Sequence, residues 1–161
     1  MIEFCRYIGI IWGEKTFLFT ATTGCAAALF GGVTLHSAAS LNSKSKNISD
    51  EMMNTWEQVR ILIIDEVSFS PEDNMDKLNA YLNHIRRKLS GGKEVLSPNM
   101  IFGGYSIIFC GDFHQLPPVK VKENQLLYAI CGLWENSINV AIVFNNSHRF
   151  KDDLEFGEIL K

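Results

Sequence analysis

Ile61-Leu62-Ile63-Ile64-Asp65-Glu66 decides the fold of this chain, together with the downstream run Ile107-Ile108-Phe109-Cys110-Gly111-Asp112-Phe113-His114-Gln115-Leu116-Pro117-Pro118. Each stretch begins as an apolar strand and ends in polar side chains. Open parallel α/β sheets place their ligand crevice at that carboxyl end. Two carboxylates leaving one strand, and a glycine–acid–glutamine–proline turn leaving another, make up half of a nucleotide-hydrolysis site. The other half is a phosphate-cradling G-x-x-x-x-G-K-[ST] loop, and the 161 residues contain no such loop.

Outward from these strands, helical and strand patterns alternate. Ile2, Cys5, Tyr7 and Ile8 fall at helical spacing. Thr16–Thr20 reads as a buried strand, and the turn Ala21-Thr22-Thr23-Gly24 leads into a short helix over Cys25–Phe30 that Gly31-Gly32 stops. Thr34-Leu35-His36-Ser37 opens a further helical segment, and Asn42–Ser49 is a polar loop. A helix capped by Ser49 or Asp50 runs through Gln58 to the strand Arg60–Ile64. Met75, Leu78, Leu82, Ile85 and Leu89 mark an amphipathic helix over Pro71–Ser90. Ser106–Cys110 is the third expected strand and Val140–Phe144 the fourth. The expectation is an α/β protein with a parallel sheet covered by helices on both faces.

Composition limits what such a chain does. The length suits one domain with a real core, and no apolar run approaches the about 18 residues that span a bilayer. A net charge of -3 supplies no general attraction to nucleic acid, so any such contact depends on a local groove. Cys5, Cys25, Cys110 and Cys131 form no C-x-x-C pair and fit free thiols in a reducing compartment. The four histidines lack metal-ligand spacing. No targeting signal is visible, and the expected location is intracellular, with the nucleus one candidate.

The strand ends carry the candidate chemistry. In phosphoryl hydrolysis the first carboxylate, Asp65, helps hold Mg2+, and the second, Glu66, orients and deprotonates the attacking water. The alternative is a solvated Asp-Glu turn. Gly111 allows a sharp exit and Pro117-Pro118 stiffen it, so that Gln115 is held where its amide can donate to a γ-phosphate and accept from the water. Asp112 in the same turn is a candidate nucleotide-binding carboxylate. Arg149 stands where a guanidinium can stabilise charge on the transferring phosphoryl group; a surface pair with Asp152 or Asp153 is the competing reading. The hydroxyls of Thr20–Gly24 and Thr34–Ser37 suit contacts to phosphates, and His36 suits stacking on a base. Ordinary helix capping by Thr34 and Ser37, with His36 half-buried, explains the same pattern.

In order, Thr20-Ala21-Thr22-Thr23-Gly24, Thr34-Leu35-His36-Ser37, Ile63-Ile64-Asp65-Glu66-Val67-Ser68, Gly111–Val119 and His148-Arg149-Phe150 resemble the motif series of the PIF-type DNA helicases, relatives of RecD in helicase superfamily one. The resemblance runs from about Thr16 to Lys161. It implies a RecA-like ATPase domain that uses ATP and Mg2+ to move 5′ to 3′ along single-stranded DNA and unwind duplex, with roles in DNA repair, recombination and telomere maintenance. It implies Asp65 as the metal-linked carboxylate, Glu66 as the catalytic one, Gln115 as the γ-phosphate sensor and Arg149 as a phosphate contact. Thr22, Thr23, Thr34 and His36 match motifs that line the DNA strand.

The resemblance further implies that residues 1–161 are part of a first RecA-like domain, without its Walker A loop and without the second RecA-like domain. Such a piece is expected to associate, to be weakly stable, and to lack hydrolysis on its own. The alternative function is a nonhydrolytic remnant that binds single-stranded nucleic acid or a partner protein.

Overall fold

A computed structural model describes residues 2–41, 48–91, 100–115, 117–118, 121–122 and 132–144. The elements in chain order are α1 (Ile2–Trp12), a 3-10 turn (Glu14–Thr16), β1 (Phe17–Ala21), α2 (Gly24–Leu29), β2 (Val33–Thr34), α3 (Leu35–Ala38), α4 (Asp50–Gln58), β3 (Ile61–Asp65), a 3-10 turn (Val67–Phe69), α5 (Glu72–Leu89), a 3-10 turn (Ile101–Gly104), β4 (Ser106–Phe109) and α6 (Gly132–Ser137). The four strands form one sheet in the order β2-β1-β3-β4. All three pairings are parallel.

The register brings the strand ends level. Ala21 lies beside Thr34 on one side and beside Asp65 on the other, and Ile64 lies beside Phe109. Consecutive residues of a strand face opposite sides of the sheet, and β3 uses both. Leu62 and Ile64 pack into a large cluster with Leu35 of α3, Trp56 of α4 and Met75, Leu78, Leu82 and Ile85 of α5. Ile63 packs on the other side with Cys5 of α1 and Phe17 of β1. A strand buried on both faces needs aliphatic residues at every position, which is why Ile61–Ile64 shows no alternation with polar residues.

The large cluster is organised by aromatic residues with polar handles. Trp56 is 1% exposed, donates its indole N–H to Ala38 O at 3.2 Å and accepts at its backbone carbonyl from the Tyr105 hydroxyl at 3.0 Å. Tyr105 and Tyr81 meet its ring edge-on, with centroids 5.4 and 6.0 Å away. Arg86, at the end of α5, lies 4.4 Å above the Tyr105 ring and donates to Gly103 O. Part of the basic run Arg86-Arg87-Lys88 is therefore used in packing.

On the opposite face Phe30, just past α2, meets Phe19 of β1 with ring centroids 6.2 Å apart, and the second cluster is covered by α1. Its outer residues Phe4, Ile10, Ile11 and Trp12 are 62–80% exposed.

Two expectations about strands are corrected. Val140–Phe144 pairs with no described strand, and the side chains of Val140, Ile142, Val143 and Phe144 are exposed. Its composition suits a strand, but β-propensity is realised only where a neighbouring edge accepts the backbone groups. The fourth strand of the sheet is instead Val33–Thr34. Two residues are too few for a periodic signal, and it forms because the edge of β1 stands beside it. Strand ends shift by a residue at β1, β3 and β4, within the ordinary uncertainty of element boundaries. No described helix is long and apolar enough to cross a membrane.

Candidate nucleotide and nucleic-acid site

Every sequence-predicted site residue that the structure describes lies at the carboxyl edge of this sheet or just beyond it. Asp65 is the last residue of β3 and is half-buried; Glu66 follows it with φ 55 and ψ 39. That left-handed conformation disfavours an L side chain by about 1–2 kcal/mol and persists only where surrounding contacts impose it.

Those contacts are visible. Thr22 N donates to Asp65 O at 3.1 Å, Val67 N donates to Cys110 O at 2.9 Å, and Cys110 N donates to Ile64 O at 2.8 Å. The Thr22 hydroxyl donates to Glu66 O at 2.8 Å. The turn after β3 is thus tied to the exits of β1 and β4.

Gly111 packs closely at the second exit. A methyl group there would stand 3.1 Å from Ser68 N, Val67 N and Val67 Cγ1, so an alanine needs these neighbours to give by a few tenths of an ångström. Beyond Gly111 the chain turns through Asp112. Its Oδ1 accepts from His114 N at 2.9 Å and its Oδ2 from Gln115 Nε2 at 3.4 Å. Asp112 and Gln115 are both exposed. Phe113 packs edge-on against Trp134 of α6, with centroids 5.8 Å apart, and Trp134 in turn meets Phe109 of β4 at 4.8 Å.

Thr22, Thr23, Thr34 and His36 follow β1 and β2. Thr23 caps α2, its hydroxyl oxygen accepting from Ala26 N at 3.2 Å. Thr34 caps α3, accepting from Ser37 N at 3.2 Å and donating to Ser37 Oγ at 2.9 Å. His36 is half-buried. Capping therefore accounts for the local role of Thr23 and Thr34, and leaves Thr23 exposed with its own hydroxyl hydrogen to donate. Arg149 lies outside the described residues.

Sequence reasoning read Thr20 as a phosphate contact and gave Cys110 and Ser68 no role; the structure gives Thr20 and Cys110 parts in holding the strands and their exits together. Cys110 supplies the carbonyl that holds Val67, and its thiol is pushed up from 9.0, first by burial and then by the Asp65 carboxylate. Thr20 is fully buried and donates to Ile63 O at 2.8 Å, joining β1 to β3. Ser68 is 8% exposed, and its hydroxyl has no partner among the described residues. Neither the Cys110 bond nor the Thr20 bond carries a signal in the chain itself, because each depends on a residue more than forty positions away.

The donor chemistry of Asp65 fits a hard divalent cation. Its Oδ1 accepts Glu66 N at 3.0 Å, and a carboxylate at a strand end is the oxygen ligand that Mg2+ takes. No group of three or more His, Cys, Asp or Glu side chains converges among the described residues.

The parallel sheet, with its polar groups collected at one edge, defines a RecA-like α/β domain of the helicase class. The PIF1-like helicase family model matches residues 6–155, and the chain belongs to that family. ATP-dependent DNA helicase PIF1 of Saccharomyces cerevisiae is 30% identical over 169 residues, covering 98% of this chain and 18% of the yeast protein. PIF1 of Danio rerio is 37% identical over 144 residues, covering 84% and 21%. Among solved structures, the Pif1 helicase of Candida albicans superposes with a TM-score of 0.73 at 28% identity, over 98% of this chain and 35% of that one. Bacteroides Pif1 in complex with ADP-AlF3 and ssDNA gives 0.59 at 28% identity, over 77% and 28%. The chain spans about a fifth of the length of these two PIF1 proteins.

Proposed function

We propose that these residues form part of the motor of an ATP-dependent DNA helicase, which couples ATP hydrolysis to movement along single-stranded DNA and duplex unwinding. The observation that carries the reading is the Asp65-Glu66 turn, held in a strained backbone conformation beside the Gly111 exit at the carboxyl edge of a parallel sheet.

Asp65 would hold Mg2+ through its carboxylate, and Glu66 orients the attacking water and takes its proton. Bound Mg2+ supplies positive charge that offsets the phosphate oxygens. Gln115 reads the γ-phosphate; to reach it the side chain exchanges its long bond to Asp112 for one to the nucleotide. Arg149 adds a guanidinium to the phosphates. Asp112 shapes the turn that carries Gln115 and adds a carboxylate near the nucleotide. Thr23, Thr34 and His36 mark the side that faces the DNA strand, with Thr23 and His36 the best placed for direct contact, while the Thr22 hydroxyl is turned to Glu66 O. Family membership points to work on DNA inside the cell, in repair, recombination and telomere maintenance.

The second reading is a nonhydrolytic domain that binds single-stranded nucleic acid, supported by the exposed Thr23, whose hydroxyl oxygen caps α2 and whose hydrogen can still be donated. Fluorescence anisotropy with labelled oligothymidylate, with and without Mg2+ and ATP, separates the two. An affinity that responds to Mg2+ with ATP, and stops responding in Asp65→Asn, supports the motor reading. Salt-sensitive binding that ignores ATP supports the second, and no binding at all overturns both.

A further inference from the structure

The Glu66–Val67 peptide group is clamped from both sides. Its carbonyl accepts both the Thr22 hydroxyl at 2.8 Å and, within the 3-10 turn, Phe69 N at 3.1 Å, and its N–H donates to Cys110 O at 2.9 Å. The Thr22 bond comes from the end of β1 and the Cys110 bond from the end of β4. Between them sits the φ 55 conformation of Glu66, which the chain would not adopt unaided. The Cys110 half of the clamp is backbone; the Thr22 half is a side chain.

A threonine hydroxyl has one hydrogen to donate. In Thr22 that hydrogen is committed to Glu66 O, and the remaining lone pairs face an acceptor-only phosphate with repulsion. Its neighbour differs: the Thr23 oxygen accepts from Ala26 N, so its hydrogen stays available, and Thr23 is exposed where Thr22 is half-buried. Two adjacent threonines of the same turn therefore have opposite hydrogen-bonding states.

We propose that Thr22 is a positioning residue for Glu66 and not itself a strand contact: it holds the peptide that aims the carboxylate, while Thr23 keeps the donor that meets the DNA. The consequence for turnover rests on the motor reading above, but the clamp is tested without nucleotide.

The amide nitrogen of Val67 belongs to the clamped peptide, so its NMR shift responds when the Glu66 carbonyl loses the Thr22 hydroxyl and keeps only Phe69 N. Labelled chain is compared as wild type, Thr22→Ser, Thr22→Val and Thr22→Ala. Serine and alanine differ only by the hydroxyl, which keeps the comparison informative if valine fails to fold. The expected result is a displaced Val67 signal in Thr22→Val and Thr22→Ala, a near-native one in Thr22→Ser, and oligothymidylate affinity within about twofold of wild type in all of them. An unmoved Val67 signal in Thr22→Ala overturns the proposal. So does an affinity loss of about tenfold or more in Thr22→Ala, whatever the Val67 signal does. If wild type itself binds no oligothymidylate, the motor reading falls, and the Val67 comparison still decides the role of Thr22.

Discussion

Glu66 shows most clearly how a single residue can be placed against its own preference. Asn tolerates φ 55 better than longer side chains, and β-branched residues tolerate it worst. Replacing Glu66 by Gln, Asn or Val removes the same charge each time, so their relative stabilities isolate the backbone term. The expected order is Asn above Gln above Val, spanning about 1–2 kcal/mol, measured by urea denaturation. Equal stabilities would mean that the left-handed conformation at 66 is not strained. The sequence exposed the carboxylate pair at Asp65 and Glu66 because apolar residues run straight into it. It did not expose the strain, which depends on Thr22 and Cys110 standing on either side.

At the scale of elements, the turn Ile101–Gly104 leads into β4 and packs on α5, and so sets where β4 enters the sheet. Phe102, Gly103 and Gly104 all have positive φ, between 50 and 74. The turn is pinned to α5 by Asn79 Oδ1, which accepts from Phe102 N at 2.7 Å. A methyl group on Gly103 would lie 2.6 Å from Leu82 O, whereas one on Gly91, at a similar φ, would meet nothing within 4 Å. Gly103→Ala is therefore expected to destabilise by about 2–4 kcal/mol and Gly91→Ala by about 1 kcal/mol. Thermal unfolding of the two variants checks this, and equal losses would show that conformation alone governs both sites. The helix over Pro71–Ser90 was legible from its apolar spacing. The packing of Gly103 against it was not, since a glycine in sequence does not announce what approaches it.

For the whole molecule, the buried acids set a pH limit. Burial pushes the Cys5 and Cys110 thiols up from 9.0 and the Tyr105 hydroxyl up from 10.0, and it pushes Tyr81 up to about 12. In the unfolded chain these groups lose their protons first, so over this range the folded state binds more protons and stability falls as pH rises. The contribution is complete below about pH 9, declines first through the thiols and then through the tyrosines, and is lost as pH passes about 12. Urea midpoints measured from about pH 8 to about pH 11.5 should be flat at first and then fall. A midpoint that holds constant to the top of that range would show that Tyr81 and Tyr105 are not buried as neutral hydroxyls.

The sequence by itself determined the class of fold and the identity of the candidate carboxylates. Apolar strands alternating with amphipathic helices have few ways to bury both faces of a parallel sheet, and a strand that ends in Asp65-Glu66 delivers those groups to its carboxyl edge. Tertiary structure alone decided the rest. It made Val33–Thr34 a strand and left Val140–Phe144 without a described pairing partner, because pairing requires a neighbouring edge and not only a suitable composition. It also divided Thr22 from Thr23, turning one hydroxyl towards Glu66 and leaving the other at the surface, because a hydrogen bond across 44 residues exists only after β1 and β3 lie side by side.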